Sequence, residues 1–334
     1  MNVLSQGYQH WTGQSTGIWQ RRWTITRYGL QLCWQSRLLK GLFAIAWVAA
    51  LGLIGFYFLI GQLLTPDSSL VQLITENLGQ RARSVVNGLS AWILLYPEVS
   101  VDGLYRLVFS LASHLYSLLA FFAVALFVPK LISHDLSSNA ILIYNSKALT
   151  RFDYLLGKFG IAFTLLTLLC LAPLVTVWFI GNLLSPDWAF FYHGFPALLR
   201  MVTVSSAGVI TYSLLAMAVS SLAKRTSSAT AFWILFWIIS AMIANLSGKF
   251  VPWGRYLSPA NCLDQLSRHL YNLGGVLEDA KAMLPFFNTL FERLPRRNPL
   301  NAMGPTDGLW LPVIFLAGIW ALCAFAISKR VQSE

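Results

Sequence analysis

His114 and the serines around it come closest in this sequence to catalytic chemistry. Ser110, Ser113 and Ser117 fall within one helical turn of His114, so on a helix their hydroxyls come within reach of the imidazole. A serine beside such a base can act as a nucleophile. However, no Asp or Glu occurs in the apolar blocks of the sequence, and polar side chains in such helices more often hydrogen-bond between helices. The sequence therefore predicts no catalytic residues.

The apolar block from Met201 to Leu222 carries many hydroxyl groups for such a segment. Small hydroxyl residues let helices approach closely and bond to one another, and this is the interpretation we favour. The alternative is a polar face that lines a substrate path. The candidates for either role, together with His114, are Ser205, Ser206, Thr211 and Ser213.

The sequence predicts neither a nucleotide site nor a metal site in this chain. The pair Gly157-Lys158 ends like a phosphate-binding loop, but Phe159 follows where Ser or Thr is required. Phe152 stands where the first Gly of that motif should be. The cysteines show no Cys-x-x-Cys pair, metal-ligand spacing or disulfide framework: Cys33, Cys170, Cys262 and Cys323.

The composition is that of a membrane protein. Of the 334 residues, 56% are hydrophobic and 11% are charged, against about 25% charged residues in soluble domains. Uncharged blocks reach the roughly 20 residues that a helix needs to cross the hydrocarbon core. We predict an all-α integral membrane fold with six transmembrane helices, at Gly41 to Leu64, Leu107 to Val128, Phe159 to Gly181, Met201 to Leu222, Ala229 to Leu246 and Leu309 to Ile327.

The charges beside these spans predict the topology. With both termini inside, the inner side carries thirteen Lys and Arg and three Asp and Glu, a net charge of +10, and the outer side carries +1. Because cytoplasmic loops are enriched in Lys and Arg, we predict a multi-pass protein of the cell inner (plasma) membrane with cytoplasmic N- and C-termini. Cations that flank spans are explained by topology and anionic lipid, so we expect no nucleic-acid partner.

This topology divides the chain into a cytoplasmic N-terminal segment, residues 1–40, and a six-span transmembrane domain, residues 41–334. The N-terminal segment carries Trp19, Trp23, Leu30, Trp34 and Leu38 at helical spacing, with its cations largely off that stripe. An amphipathic helix of this kind lies in the headgroup plane of the bilayer. The alternative is a soluble helix packed on another subunit.

The predicted outer loops are residues 65–106 and 247–308. In the second, Ser258 and Pro259 have the pattern of a helix N-cap and first position, and the helix runs to Tyr271. Its leucines fall on one face: Leu263, Leu266 and Leu270. We favour packing of this helix on neighbouring loops; the alternatives are a position on the membrane surface or a cap over a translocation pathway.

The inner loop, residues 129–158, is predicted to form two helical pieces. The first runs from about Asp135 to Tyr144, and its apolar side chains are available to dock on a partner. The second starts at Thr150, whose hydroxyl caps the helix while Asp153 closes a capping box. A plain connector is the alternative.

These features resemble the ABC type-2 exporter membrane domain. That family has an amphipathic helix before the first of six spans and an inner loop that ends in a pattern like Ser-Arg-x-x-Tyr-x-x-Gly-Lys. The corresponding stretch of this chain runs from Thr150-Arg151-Phe152-Asp153-Tyr154 through Leu155 and Leu156 to Gly157-Lys158. The resemblance implies two membrane subunits, as a homodimer or heterodimer, each seated on a cytoplasmic ABC ATPase subunit.

On this resemblance, the chain is the permease subunit of an ATP-driven exporter. It binds no cofactor itself, and ATP and Mg bind the partner ATPase. The residues implied in ATPase contact are Asp135, Leu136, Asn139, Ile141, Tyr144, Arg151, Phe152, Asp153 and Tyr154. The alternatives are a non-transporting scaffold or sensory subunit and an ion-coupled secondary carrier. The absence of Asp and Glu from the predicted spans counts against the carrier.

Overall fold

A computed structural model describes residues 17–64, 80–137, 150–185, 188–223, 225–283 and 308–332. These residues are almost entirely helical and include no β-strand. Six of the helices are long and apolar enough to cross a membrane, which confirms the predicted all-α fold with six candidate spans. Three predicted contact residues, Asn139, Ile141 and Tyr144, lie outside the described residues.

The helices follow one another with few breaks. In chain order they are α1 (Ile18–Trp34), α2 (Arg37–Leu64), α3 (Gln80–Leu95), α4 (Pro97–Phe127), α5 (Ser133–Ser137), α6 (Arg151–Leu166), α7 (Ala172–Leu183), α8 (Ala189–Leu222), α9 (Thr226–Phe250), α10 (Pro259–Tyr271), α11 (Leu273–Met283) and α12 (Trp310–Gln332). The candidate spans are α2, α4, α6 with α7, α8, α9 and α12. We call the end of the bundle that contains Lys130 and Lys158 the basic end, and the opposite end, which contains Pro97 and Trp310, the hairpin end.

Two spans extend roughly three turns beyond their predicted ends at the hairpin end. Helix α4 begins at Pro97 rather than Leu107, and α8 begins at Ala189 rather than Met201. With 31 and 34 residues, they extend about 46 and 51 Å, well beyond a hydrocarbon core of roughly 30 Å. Their extra turns carry charges that pair between the helices, since Arg200 donates to both carboxylate oxygens of Asp102 at 2.9 Å.

The third span contains a π-helical turn. Residues Thr167–Leu171 join α6 to α7, directly before Pro173, which has no backbone N–H to continue the α-helical hydrogen bonds. Turns of this type are frequent at functional sites in helices. The turn places Cys170 opposite α4, where its thiol donates to the carbonyl of Tyr116 at 3.5 Å.

Helices α10 and α11 form a hairpin between the last two spans. Asn272 joins them in the left-handed conformation, with φ of 40°. At this turn the hydroxyl of Tyr271 is hydrogen-bonded to that of Ser113 at 3.0 Å, about 24 Å along α4 from its first residue. The predicted helix is present, although the hydroxyl of Ser258 makes no capping hydrogen bond. It packs against spans α4, α8 and α12, rather than on neighbouring loops alone.

Candidate functional site

Helix α1 docks on the third span through glycines. The hydroxyl of Thr26 donates to the carbonyl of Gly157 at 2.9 Å. A Cβ on Gly157 would lie 2.9 Å from Ile25, and one on Gly160 would lie 2.7 Å from the Thr26 hydroxyl. The absence of side chains at both positions therefore lets the two helices approach closely.

The tryptophan stripe of α1 lies beside this contact and points away from the bundle. Trp19, Trp23 and Trp34 are 78%, 58% and 45% exposed, whereas Thr26 and Cys33 are buried. The three indole rings are thus accessible to lipid or another subunit, whereas Leu30 of the same predicted stripe packs against the core. A position of α1 in the headgroup plane stays a prediction, and so does the alternative that it packs on another subunit.

An ion pair joins α1 to the start of α6. Arg22 lies 2.6 Å from the carboxylate of Asp153, which also accepts a 2.5 Å hydrogen bond from the hydroxyl of Thr150. The same hydroxyl accepts from the backbone N–H of Asp153 at 3.2 Å. The helix cap predicted at Thr150 is confirmed, and Asp153 completes it through the Thr150 side chain.

A second ion pair joins α5 to α6. Lys158 Nζ lies 2.7 Å from Asp135 Oδ2, and the hydroxyl of Tyr154 donates to the same oxygen at 2.8 Å. All three side chains are buried, so the charges are shielded from water and held in one arrangement. We refer to Arg22, Asp135, Asp153, Tyr154 and Lys158 as the basic-end cluster.

Neighbouring helices hold this region in place. The hydroxyl of Ser220 in α8 accepts from the backbone N–H groups of Ile132 and Ser133 at 2.9 and 3.0 Å. Lys130 donates to the carbonyl of Leu32, near the end of α1, at 3.1 Å. The start of the inner loop is therefore tied to α1, α6 and α8 together.

The predicted ATPase-contact residues include both exposed and buried side chains. Phe152 is 64% exposed, while Asp135, Asp153 and Tyr154 are buried and bonded within the chain. These three position the inner loop rather than present free polar groups. Leu136 and Arg151 lie in α5 and α6. Docking of this surface on an ATPase stays a prediction, with Phe152 as its exposed aromatic residue.

A cavity of about 310 Å³ opens among α4, the third span, α8 and α10. Its lining residues are Ser113, His114, Tyr116, Ser117 and Ala120 from α4; Leu166, Cys170 and Leu174 from the third span; Val204, Ser205, Gly208, Val209 and Tyr212 from α8; and Ala260, Asn261, Leu263, Asp264 and Ser267 from α10. Two hydrogen bonds between hydroxyl groups connect helices beside the cavity. Ser117 is hydrogen-bonded to Tyr212 at 2.9 Å, and Ser113 is hydrogen-bonded to Tyr271. The amphipathic helix α10 forms one wall of the cavity.

The cavity separates the predicted pathway residues into two groups. His114 and Ser205 line it, whereas Ser206, Thr211 and Ser213 do not. Thr211 accepts a 2.9 Å hydrogen bond from the indole of Trp320 and so joins α8 to α12. Ser213 is fully buried. Helix packing thus accounts for Thr211, and His114 and Ser205 are the candidates that reach a pathway.

Two of the serines around His114, Ser113 and Ser117, are bonded to other groups. Ser113 donates to the carbonyl of Phe109 at 2.7 Å and is also bonded to Tyr271, and Ser117 is bonded to Tyr212. Within the described ranges, His, Cys, Asp and Glu form no group of three or more that could hold a metal ion.

Sequence reasoning missed Asp264. Its position in an outer loop assigned it to the aqueous side, yet α10 brings it to the cavity wall. Its carboxylate accepts a 2.8 Å hydrogen bond from Arg268, and both side chains are about one-third exposed. The leucine face of α10 was the signal that this helix packs on the spans, since Leu266 on that face is buried.

Comparisons with known proteins give no family for this chain, because no family model and no curated protein matches the sequence. The six long apolar helices define its class as a multi-pass α-helical membrane protein. Function must be inferred from the cavity and the basic-end cluster.

Proposed function

We propose that this chain is the membrane-spanning permease subunit of an ATP-driven ABC transporter, acting as an exporter. In this proposal two membrane subunits each bind a separate cytoplasmic ATPase chain that holds ATP and Mg. The inner loop, residues 129–158, transmits the closure of the ATPase to the spans. The basic end is the cytoplasmic end.

The observation that carries the proposal is the buried contact of Asp135 with Lys158 and Tyr154. It makes the start of the inner loop continuous with α6, the first part of the third span. A partner that displaces α5 must therefore displace α6 as well, because separating a buried ion pair leaves charges without compensation. The bond between Arg22 and Asp153 passes the same displacement to α1.

The cavity supports the transport role. The third span forms one of its walls through Leu166, Cys170 and Leu174. Displacement of this span at the basic end changes the shape of the cavity, with the π-helical turn at Thr167–Leu171 as the point of adjustment. Alternating access then follows from movement of the third span against α4 and α8.

One observation favours a second candidate, an ion-coupled secondary carrier. Asp264 lies at the cavity together with His114, and ionisable residues on such a path are often used for ion coupling. A non-transporting scaffold or sensory subunit is the third candidate, and the cavity favours transport over it. The carrier and the permease differ in whether a separate ATPase is required.

Purification from native membranes tests the proposal. We expect a chain with a phosphate-binding loop to co-purify in stoichiometric amount and the Lys158→Gln variant to retain less of it. Lys249→Gln is the matched control, because Lys249 is exposed near the hairpin end of α9. Stoichiometric recovery of this chain without any ATPase would overturn the proposal and favour the carrier.

A further inference from the structure

The charged groups among the described lining residues indicate which class of molecule the cavity binds. Asp264 is the carboxylate among the described residues that line it, and none of those residues is Lys or Arg. A negative group at a half-enclosed wall favours a positive group nearby, because the attraction there is less weakened by water than on an open surface. Anionic ligands are disfavoured for the same reason.

The rest of the lining is suited to an apolar body. Leu166, Leu174 and Val209 face the cavity from the third span and α8. Tyr116 and Tyr212 add aromatic rings to the lining. The volume of about 310 Å³ lies at the lower end of the range for small-molecule sites, roughly 300–1,000 Å³.

Arg268 competes with a ligand for the carboxylate of Asp264. It bonds to Asp264 from the next turn of α10, through one carboxylate oxygen, but it is not among the lining residues. A partly exposed pair at this helical spacing is worth little energy, so a cation that reaches the carboxylate from the cavity displaces Arg268 at little cost. The carboxylate is therefore available to a ligand that presents a positive group from the cavity.

We propose that this cavity binds an amphipathic organic cation, with its charged end at Asp264 and its apolar body against the third span and α8. The proposal of a binding site depends on the cavity alone. As the substrate site of an exporter it rests on the proposed function. His114 and Asn261 line the same cavity and add polar groups to it.

A pair of ions of similar size and opposite charge tests the proposal. The purified chain in lipid nanodiscs is titrated with tetraphenylphosphonium and with tetraphenylborate, and binding to empty discs is subtracted. We expect the phosphonium to bind more tightly than the borate. Asp264→Asn should weaken phosphonium binding about tenfold, whereas Glu278→Gln, an exposed acid of the same hairpin, should leave it unchanged.

Arg268→Gln separates binding from mere stabilisation of the hairpin. If the carboxylate is the cation site, removing Arg268 exposes it and phosphonium binding becomes severalfold tighter. If the pair is only structural, both Asp264→Asn and Arg268→Gln lower stability and neither changes the preference for the cation. Unchanged phosphonium affinity in Asp264→Asn, or equal affinities for the two ions, would overturn the proposal.

These outcomes are independent of the ATPase. Tight phosphonium binding to a chain that never co-purifies with an ATPase would keep the cation site and reject the permease proposal. Recovery of the ATPase together with no binding of the phosphonium would reject the cation site and keep the permease proposal.

Discussion

Lys158 and Asp135 form a buried ion pair that ties the inner loop to the third span, with 2.7 Å between Nζ and Oδ2. The Lys158→Met variant should lose about 3 kcal/mol of stability, because Asp135 then keeps its buried charge without this partner. Thermal unfolding of the detergent-solubilised protein measures the loss. The double variant Asp135→Asn/Lys158→Met should recover part of it, and a Lys158→Met variant as stable as the wild type would contradict the assignment.

Gly157 controls the contact between α1 and α6. The Gly157→Ala variant places a Cβ 2.9 Å from Ile25 and 3.3 Å from the Arg22 carbonyl, so we expect it to cost about 1–3 kcal/mol, as overpacking usually does. Gly41→Ala is the control, since a Cβ there meets nothing within 4 Å. Proteolysis within α1 should become faster in Gly157→Ala only. Equal rates in both variants would show that α1 does not depend on this close contact.

The stripe of Trp19, Trp23 and Trp34 should lie at headgroup depth. A spin label at Trp23→Cys should be reached by oxygen more than by an aqueous nickel chelate, because the rings of an interfacial helix face the lipid. A label at Thr24→Cys, exposed on the next face of α1, should show the opposite preference. Dominant access of the nickel chelate at both positions would place α1 away from the bilayer.

The topology predicts which cysteines an impermeant reagent reaches in intact cells. Glu278→Cys in α11 should be labelled from outside, and Ser227→Cys, at the basic end of α9, only after permeabilisation. Both positions are exposed. The background should be low, because burial raises the pKa of Cys33 to about 11 and that of Cys262 to about 12, which keeps both thiols protonated and unreactive at neutral pH. External labelling of Ser227→Cys would show that the predicted membrane topology is wrong.

The length of the uncharged apolar blocks predicted the spans, because it reports burial in lipid, which is local to each segment. The predicted ends failed where charges interrupt the apolar run without ending the helix. Asp102 and Arg200 lie in added turns of α4 and α8 and pair with each other. A sequence window registers these charges as a boundary, whereas the folded chain pairs them and continues both helices.

The site depended on contacts between distant segments, which a single sequence does not specify. Asp264 joins His114 and Ser205 at the cavity only because the hairpin of α10 and α11 reaches Ser113. Likewise, Gly157 was recognised as part of a short pattern, while its contact with Thr26 spans a separation of 131 residues. The residue types were visible in the sequence, but their partners were not.

Photo-crosslinking from Phe152 is the most direct test of coupling to an ATPase. Phe152 is 64% exposed beside the basic-end cluster, and Phe250, 79% exposed at the hairpin end of α9, is the matched control. With a benzophenone amino acid at either position in native membranes, we predict a crosslink from residue 152, and none from residue 250, to a chain with a phosphate-binding loop. Absence of that crosslink from residue 152, in protein that is folded and inserted, would contradict the proposal that the inner loop binds an ATPase.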